Sequence, residues 1–355
     1  MRIGVNLGYW GRGTTGQDQL ALARAADRLG YDSVWVAEAY GSDSPSMLAW
    51  IGALTEHVGL GSAVMQIPGR TPAMTAMTAA TIDTMSGGRF RLGLGVSGPQ
   101  VSEGWHGVPF RHPLARTRDY VEIVRAALRR DTVAHDGPHY QLPLPGGPGK
   151  ALKLAARPVR ADLPIYLAAV GPRNLELTGE IADGWLAIFF SPEHAGDLLT
   201  TLEKGRLRSA RASADAPMDG FDVVAATPVV LVDDVEAAAE HLRDYCALYI
   251  GGMGSREQNF YNQLACRMGF EEDAARIQDL YLAGRHREAA AAVPLEFIDE
   301  TALLGSPQRI ARRMGRYEEA GVTTLAVAVG GGMTRDAALA TLEVVAGVGG
   351  LVPRT

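Results

Sequence analysis

The stretch PIYLAAVGPRNLELTGEIADGW, residues 164–185, contains the unit from which we predict the fold of this 355-residue chain. An apolar run predicts a strand over Pro164–Val170, and the pair Gly171-Pro172 begins a helical pattern that extends to Ala182. A second apolar run, Trp185–Phe189, follows that helix. A strand, a helix and a strand in this order predict two parallel strands joined by a right-handed crossover.

The same unit recurs from one end of the chain to the other. Besides the two runs above, apolar runs predict strands over Arg2–Leu7, Ser33–Ala37, Gly59–Met65, Phe90–Val96, Val223–Leu231 and Thr324–Val329. Helical spacing separates the strands, as in Leu22, Ala26 and Leu29, and in Thr71–Thr84, Pro113–Arg129 and Ser306–Ala320. Eight such units favour a closed (β/α)₈ (TIM) barrel of the α/β class, with an open, two-domain sheet as the alternative.

Two stretches interrupt the alternation of strands and helices. Asp131–Leu163 is rich in proline and glycine and predicts a hairpin and loop inserted after strand four and its helix. Gly251–Val293 has helical spacing and predicts extra helices after strand seven. Long insertions of this kind are often lids or binding loops. We therefore predict a single domain, residues 1–355, that carries two insertions.

Composition excludes several classes of protein. A formal net charge of -6 provides no basic surface for nucleic acid. No window of about 18 apolar residues predicts a membrane span, and the N-terminus lacks the basic start of a signal peptide. Cys246 and Cys266 are too few for a disulfide framework, which favours buried thiols and a cytoplasmic protein.

In a (β/α)₈ barrel the active site lies at the carboxyl ends of the strands, so the residues after each strand are the candidates. Glu38 follows strand two and is either a general acid or part of a salt bridge at the rim. The small residues Gly61, Ser62 and Ala63 lie where strand three ends, and they would let a flat ligand approach the backbone. His106, after strand four, either meets the substrate or packs within its loop.

Two glycine-containing turns are candidate phosphate sites. Gly93, Gly95 and Gly98 have the spacing G-x-G-x-x-G, but no long helix opens at Gly98, so we interpret them as barrel glycines that end in a polar turn at Ser97. The helix that begins after Gly171 offers free N–H groups and a favourable dipole to an anion. Ala169, Val170, Pro172, Arg173 and Asn174 surround that helix start, which could also be a simple capped turn.

Other catalytic chemistries lack their motifs. The eight histidines include no H-E-x-x-H pair, so we predict no metal site. No G-x-S-x-G elbow indicates a hydrolase nucleophile. A glycosidase would need a second carboxylate opposite Glu38, and the ends of strands four, six and seven offer none.

Four segments together resemble the luciferase-like flavin and deazaflavin oxidoreductases, and within them the actinobacterial branch that uses coenzyme F420. They are LALARAADRLGYDSVWVAEAY (20–40), TAATIDTMSGGRFRLGLGVSGPQVSEGWHGVPF (78–110), GPRNLELTGEIADGW (171–185) and GGMGSREQNFYNQLACRMGF (251–270). The resemblance covers essentially the whole chain and implies a bacterial-luciferase-like barrel. Similar proteins are dimers or tetramers, so it also implies a homodimer or homotetramer.

The resemblance implies a cofactor ring that lies across the strand ends. A non-proline cis peptide bond, Ala63-Val64 by position, would support the ring from behind. The phosphate would lie against Ser97-Gly98 and the Gly171 turn. Related sugar-phosphate dehydrogenases carry a histidine after the acidic residue of strand two, whereas Ala39 follows Glu38 here, which argues against that reaction.

The aromatic residues Tyr9, Trp10, Tyr40 and Trp105 predict a flat, aromatic substrate pocket for a small molecule. The first hypothesis is an F420-dependent oxidoreductase that reduces an imine or an activated alkene. The second is an FMN-dependent monooxygenase of the same fold. The third is a cofactor-free barrel that acts as a binding or hydrolytic protein.

Overall fold

Eight parallel strands close into a barrel in the computed structural model, which describes residues 1–10, 14–329 and 333–354. The strands are β1 (Arg2–Gly8), β2 (Ser33–Val36), β3 (Gly59–Ser62), β4 (Phe90–Gly95), β5 (Ile165–Ala168), β6 (Gly184–Ile188), β7 (Asp222–Val230) and β8 (Thr324–Ala328). Each strand pairs with the next, and β8 pairs with β1 from Thr324 opposite Arg2 onward. The predicted closed barrel is confirmed, and the strand bounds differ from prediction by a few residues.

Helices surround the barrel and cover the outer faces of the strands. They are α1 (Gly16–Leu29), α2 (Ser44–Ala53), α3 (Pro72–Met85), α4 (Pro99–Gly104), α5 (Pro113–Leu128), α6 (Pro172–Ile181), α7 (Ala195–Arg206), α8 (Val235–Ala247), α9 (Phe260–Arg267), α10 (Glu271–Leu282), α11 (His286–Ala291), α12 (Leu295–Thr301), α13 (Pro307–Glu319) and α14 (Arg335–Val348). Local signals set their ends: Gly30 ends α1 in the left-handed region at φ 88°. The N–H of Gly30 donates to Ala26 O and Asp27 O, as a C-terminal glycine should.

Strand three is shorter than predicted. β3 ends at Ser62, and a separate two-residue strand, Met65–Gln66, continues the pairing with β4. The two residues between these strands, Ala63 and Val64, leave the regular ladder at the carboxyl end of the barrel. This interruption places the backbone of residues 63–64 at the barrel mouth.

Both predicted insertions are present. Residues 135–142 contain a small antiparallel hairpin, in which His135–Asp136 pairs with Gln141–Leu142. The insertion after β7 is longer than the predicted Gly251–Val293, since it contains α8–α12, and it has its own apolar cluster, which includes Phe189 of the barrel. Among the described helices, none has the length and hydropathy needed to cross a membrane. The assignment of the whole chain to one domain stays a prediction.

Candidate active site

The mouth of the barrel has an apolar floor. Five buried side chains form a cluster inside the barrel: Trp35, Tyr166, Leu186, Val224 and Ala326. Three smaller, half-buried side chains pack against this cluster, namely Ala63, Val64 and Ala168. The rings of Trp35 and Tyr166 meet edge to face with centroids 5.3 Å apart. Because Ala63, Val64 and Ala168 follow or end β3 and β5, they present a low apolar surface to the mouth.

Glycine is needed beside this floor because there is no room for a side chain. A Cβ on Gly61 would lie 2.1 Å from Trp35 Cε3, and a Cβ on Gly95 would lie 2.5 Å from Val64 Cγ2. A Cβ on Gly93 would lie 1.8 Å from Ser62 O. The glycines of β3 and β4 therefore serve close packing within the barrel wall, in agreement with our interpretation of the G-x-G-x-x-G spacing.

The Ala63-Val64 peptide bond is cis, as the resemblance implied. Ser62, directly before it, is fully buried. The Ser62 hydroxyl donates to Gly93 O and accepts from Gly93 N, both at 2.8 Å. The Ser62 hydroxyl is thus already satisfied and links β3 to β4, and a contact of Ser62 with the cofactor stays a prediction.

Glu38 forms a partly buried ion pair with Arg70 at the rim of the barrel. Its carboxylate accepts from both terminal nitrogens of Arg70, and also from Gln66 N at 2.9 Å and Ser44 N at 3.1 Å. Burial by itself would lower the pKa of Arg70, but Glu38 and Asp43 outweigh it and raise that pKa. The structure thus shows the salt bridge, which is one of the two roles that the sequence leaves open. The general-acid role of Glu38 stays a prediction.

His106 belongs to the same polar network. Its Nε2 lies 2.7 Å from Gln66 Oε1, and Gln66 Nε2 donates to Ser97 Oγ at 3.3 Å. An amide oxygen can only accept, so the Nε2 of His106 carries a proton in this arrangement. His106, Gln66 and Ser97 therefore link the segment after β3 to the turn after β4.

Two helices begin at the mouth without a side-chain cap. Gly98 precedes α4 and Gly171 precedes α6, and neither helix start has a side-chain hydrogen bond. The strands that lead to them, β4 and β5, are neighbours, with Leu94 opposite Leu167. Their uncapped N–H groups and positive dipole ends therefore lie on one side of the mouth.

Cationic side chains lie near the start of α6. Arg173 is exposed in the first turn of α6, and Arg267 of α9 donates to Val170 O at 3.0 Å. A Cβ added to Gly98 would meet no atom closer than 3.7 Å, and a Cβ added to Gly171 would meet none within 4 Å. Open space, backbone donors and positive charge fit a phosphate, and the apolar floor beside them fits a flat ring.

The four predicted aromatic residues separate in the structure. Tyr9 and Tyr40 follow β1 and β2, and both lie close enough to Tyr249 of the insertion to raise its pKa, although burial of Tyr249 is the larger cause. The ring of Trp10 lies over the start of α1, where a Cβ on Gly16 would be 2.9 Å from it. Trp105 is 66% exposed at the end of α4. Of the four, Tyr9 and Tyr40 are the ones that influence the pKa of an aromatic residue of the insertion.

Two features lie away from the mouth. Among the described residues, Asp119, Glu122 and His135 have potential ligand atoms within 4.8 Å of one another. The Asp119 carboxylate already accepts from His139 N at 3.1 Å, which fits a structural role. A shallow cleft of about 740 Å³ lies before β3, beside His57 and Arg354, at the end of the barrel opposite the strand carboxyl ends.

Residues 1–324 match the family model of luciferase-like monooxygenases. The chain belongs to this family. A Mycobacterium tuberculosis protein, named provisionally as a coenzyme F420-dependent oxidoreductase, is 45% identical over 93% of this chain and 95% of its own length. A 5,10-methylenetetrahydromethanopterin reductase of Archaeoglobus fulgidus is 28% identical over 84% of this chain and 86% of its own.

A solved structure shares the fold of this family member. The coenzyme F420-dependent tetrahydromethanopterin reductase of Methanopyrus kandleri superposes with a TM-score of 0.80 over 98% of both chains, at 22% identity. At that identity the likeness supports the fold alone. The barrel is thus the fold of a luciferase-like protein.

Several residues at the mouth are not predicted from the sequence. Gln66 and Arg70 follow strand three directly, and this position after a strand end is the sequence signal that identifies them as candidates. Tyr249 and Arg267 come from the insertion after β7, whose position over the mouth has no local sequence signal. The spacing of Tyr245 and Tyr249, four residues apart, does place both on one helical face.

Proposed function

We propose that this chain is a coenzyme F420-dependent oxidoreductase that transfers hydride between the deazaflavin C5 and a small organic substrate. One observation carries the proposal: the floor of Ala63, Val64 and Ala168 lies beside the uncapped helix starts at Gly98 and Gly171. A planar ring needs the floor, and a phosphate needs the helix starts. The relatives named above support F420 as the cofactor. When bound, the deazaflavin supplies the hydride chemistry.

The protein contributes position and electrostatics. We assign the phosphate to the turns at Ser97-Gly98 and Ala169-Val170-Gly171, with Pro172 and Arg173 opening α6. Gly95 leaves room for Val64 behind the ring. Glu38 and Arg70 hold Gln66 in place, and His106 contributes an N–H donor to that network.

Reduction of an imine or an activated alkene is the favoured reaction. The aromatic side chains Tyr9 and Tyr40 at the mouth support a flat, uncharged substrate rather than a sugar phosphate. The reaction needs a proton for the reduced substrate, and Glu38, a bound water or a substrate group would provide it.

Assembly and location complete the proposal. We propose a cytoplasmic homodimer or homotetramer of single-domain subunits. Helices α2 and α3 pack together and expose apolar side chains, namely Leu54 next to α2 and Met74, Met77 and Met85 of α3. Exposed apolar side chains in adjacent helices are typical of surfaces that another subunit covers.

An FMN-dependent monooxygenase is the second candidate, because FMN has the same ring shape and a phosphate. A titration separates the two. Purified protein is titrated with F420 and with FMN, followed by quenching of cofactor fluorescence. We expect micromolar binding of F420 and much weaker binding of FMN. The reverse order would favour the monooxygenase, and binding of neither would favour a cofactor-free barrel.

The phosphate assignment is tested in the same titration with Gly171→Asp. A Cβ at residue 171 meets no atom within 4 Å and φ is −81°, so the backbone tolerates a side chain there. Aspartate would cap α6 and repel the phosphate, so we expect at least about tenfold weaker F420 binding with unchanged or higher thermal stability. Gly171→Ala, the matched control, should bind normally. Equal F420 affinity of both variants would show that the phosphate lies elsewhere.

A further inference from the structure

Three tyrosines of the helical insertion form a recess with Phe189 at its base. The rings of Tyr249 and Tyr245 have centroids 4.8 Å apart, and those of Tyr249 and Tyr261 are also 4.8 Å apart. Phe189 lies 5.4 Å from Tyr245 and 5.5 Å from Tyr249 between centroids. Phe189 directly follows β6, at the carboxyl end of the barrel, so this aromatic group belongs to the mouth rather than to the outer surface.

The three tyrosines are deep in the protein and still accessible. Burial raises the pKa of Tyr245 and Tyr249 well above the ordinary value and that of Tyr261 to about 12. Each nevertheless keeps accessible surface and is only half-buried, whereas Phe189 is buried. The three half-buried tyrosines pack against the cluster that contains the buried Phe189, so they form the accessible wall of the recess and Phe189 its base.

The recess opens toward the mouth of the barrel. Phe189, whose ring contacts Tyr249, follows β6, and Tyr9 and Tyr40, which follow β1 and β2, contribute to the raised pKa of Tyr249. On the other side, Arg267 of α9 holds the insertion to Val170 O, at the β5–α6 turn assigned to the phosphate. Tyr249 therefore lies at the end of β6, on the insertion that Arg267 joins to the turn of the proposed cofactor site.

The backbone holds Tyr249 in a distinct conformation. Residues Leu248–Gly252 form a π-helical turn directly after α8. The Nδ2 of Asn259 donates to Tyr249 O at 3.0 Å and to Ile250 O at 2.9 Å, which satisfies carbonyls of that turn. Short π-helical turns occur frequently at functional sites, and here the turn fixes where the Tyr249 ring points.

Among the described residues, the recess is lined by aromatic side chains. After burial, the influences that raise the pKa of Tyr249 are the phenols Tyr261, Tyr9 and Tyr40, and no charged side chain of the described part of the chain contributes. An anion in such a site would lose hydration without gaining a cation, whereas a flat neutral molecule gains ring contacts and a phenol donor.

We propose that this recess is the substrate subsite, that it takes a planar, uncharged molecule with a conjugated carbonyl or imine, and that the Tyr249 hydroxyl donates a hydrogen bond to that acceptor atom. This inference rests on the proposed function, because the subsite faces the cofactor. It adds a specificity-determining residue, Tyr249, and a ligand class that excludes sugar phosphates. The proposed aromatic pocket therefore consists of Tyr9, Tyr40 and the three tyrosines of the insertion, without Trp10 and Trp105.

Binding of matched probes to the F420-loaded protein tests the proposal. The probes are 4-phenyl-3-buten-2-one, a planar neutral ketone, and cinnamate, an anion with nearly the same frame, both measured by isothermal titration calorimetry. We expect the ketone to bind at least about tenfold more tightly than cinnamate. Tyr249→Phe should weaken ketone binding by roughly five- to tenfold, the loss expected for one hydrogen bond, with little change for cinnamate.

Tyr140→Phe serves as the matched control, because it removes a half-buried phenol hydroxyl beside Tyr120, away from the mouth. F420 affinity is measured separately for the wild type and both variants. Failure of the wild type to bind F420 would overturn the proposed function. Normal F420 binding with equal ketone affinity in wild type and Tyr249→Phe would overturn the role of Tyr249. Cinnamate binding as tightly as the ketone would overturn the ligand class.

Discussion

Trp35 and Gly61 lie directly opposite each other on neighbouring strands of the barrel, and the indole occupies the space where a side chain at residue 61 would begin. A Cβ on Gly61 would be 2.1 Å from Trp35 Cε3. The largest residue of the barrel interior thus depends on the smallest one beside it. Trp35 in turn packs against Ala63 and Val64, which belong to the apolar floor of the mouth.

We therefore expect Gly61→Ala to destabilise the protein. The methyl group must displace the indole from a filled interior, which costs about 1–3 kcal/mol of unfolding free energy. Urea unfolding followed by tryptophan fluorescence measures the loss. Gly196→Ala is the control, because a Cβ in this part of α7 meets no atom within 4 Å and alanine favours a helix. Equal stability of Gly61→Ala and wild type would contradict the tight packing.

The ion pair of Glu38 and Arg70 makes a second prediction. Glu38→Gln keeps the shape but removes the charge that Arg70 faces, and it places an NH₂ group among backbone donors. We expect the unfolding free energy to fall by about 1–3 kcal/mol, measured by urea unfolding at pH 7. A residue that acted only as a proton donor would instead lose turnover and keep its stability.

Asp43→Asn is the matched control for Glu38→Gln. Asp43 also pairs with Arg70, but its side chain is 46% exposed. Exposed pairs contribute at most about 1 kcal/mol, so we expect a smaller loss from Asp43→Asn than from Glu38→Gln. A larger loss of unfolding free energy from Asp43→Asn would show that the Asp43–Arg70 pair, rather than the Glu38–Arg70 pair, stabilises the rim.

Glu193 makes the stability depend on pH in the acid range. Burial alone would raise its pKa, but the hydrogen bonds and charge of Arg313 outweigh burial and lower the pKa from 4.5 to about 2. A lowered pKa in the folded state adds stability above the unfolded value, and this stability is lost as pH falls through the folded value. Glu193 should therefore stabilise the protein at pH 7 and lose this effect between pH 4.5 and 2.

Glu193→Gln tests this pH dependence by urea unfolding at several pH values. We expect the variant to be less stable than wild type at pH 7, with a difference that narrows below pH 4.5 and closes near pH 2. Glu319→Gln is the control, because Glu319 is 76% exposed and lies 3.9 Å from Arg316. A difference that stays constant over this range would show that the Glu193 carboxylate does not titrate as described.

Much of the barrel can be predicted because parallel strands are buried on both faces and appear as apolar runs. Helix ends with local chemistry, such as Gly30 and the Gly171-Pro172 pair, are also predictable. Helix α2, with the sequence SPSMLAWIGA, is not predicted, because it is apolar on all sides and has no clear period. The interruption of β3 is not visible in the apolar run Gly59–Met65, since the resemblance alone points to residues 63–64.

The site is predicted only in part. Its place at the strand ends, and its glycine turns at Gly98 and Gly171, follow from chain-local patterns. The role of Glu38 does not, because that role depends on Arg70, which lies 32 residues away in the chain and meets it at 3.1 Å between Nη2 and Oε2. The position of Ser62 at the end of strand three predicts a cofactor contact, yet its hydroxyl is bound by Gly93 of the next strand.

The sequence by itself determined the (β/α)₈ architecture, the two insertions and the two turns suited to a phosphate, because each depends on the order and spacing of nearby residues. Only the tertiary structure decided which side chains are satisfied and which face the mouth. It made Glu38 a partner of Arg70, and it placed Tyr249 of the insertion against Phe189 of the barrel. Such contacts join residues far apart in the chain, so no local pattern encodes them.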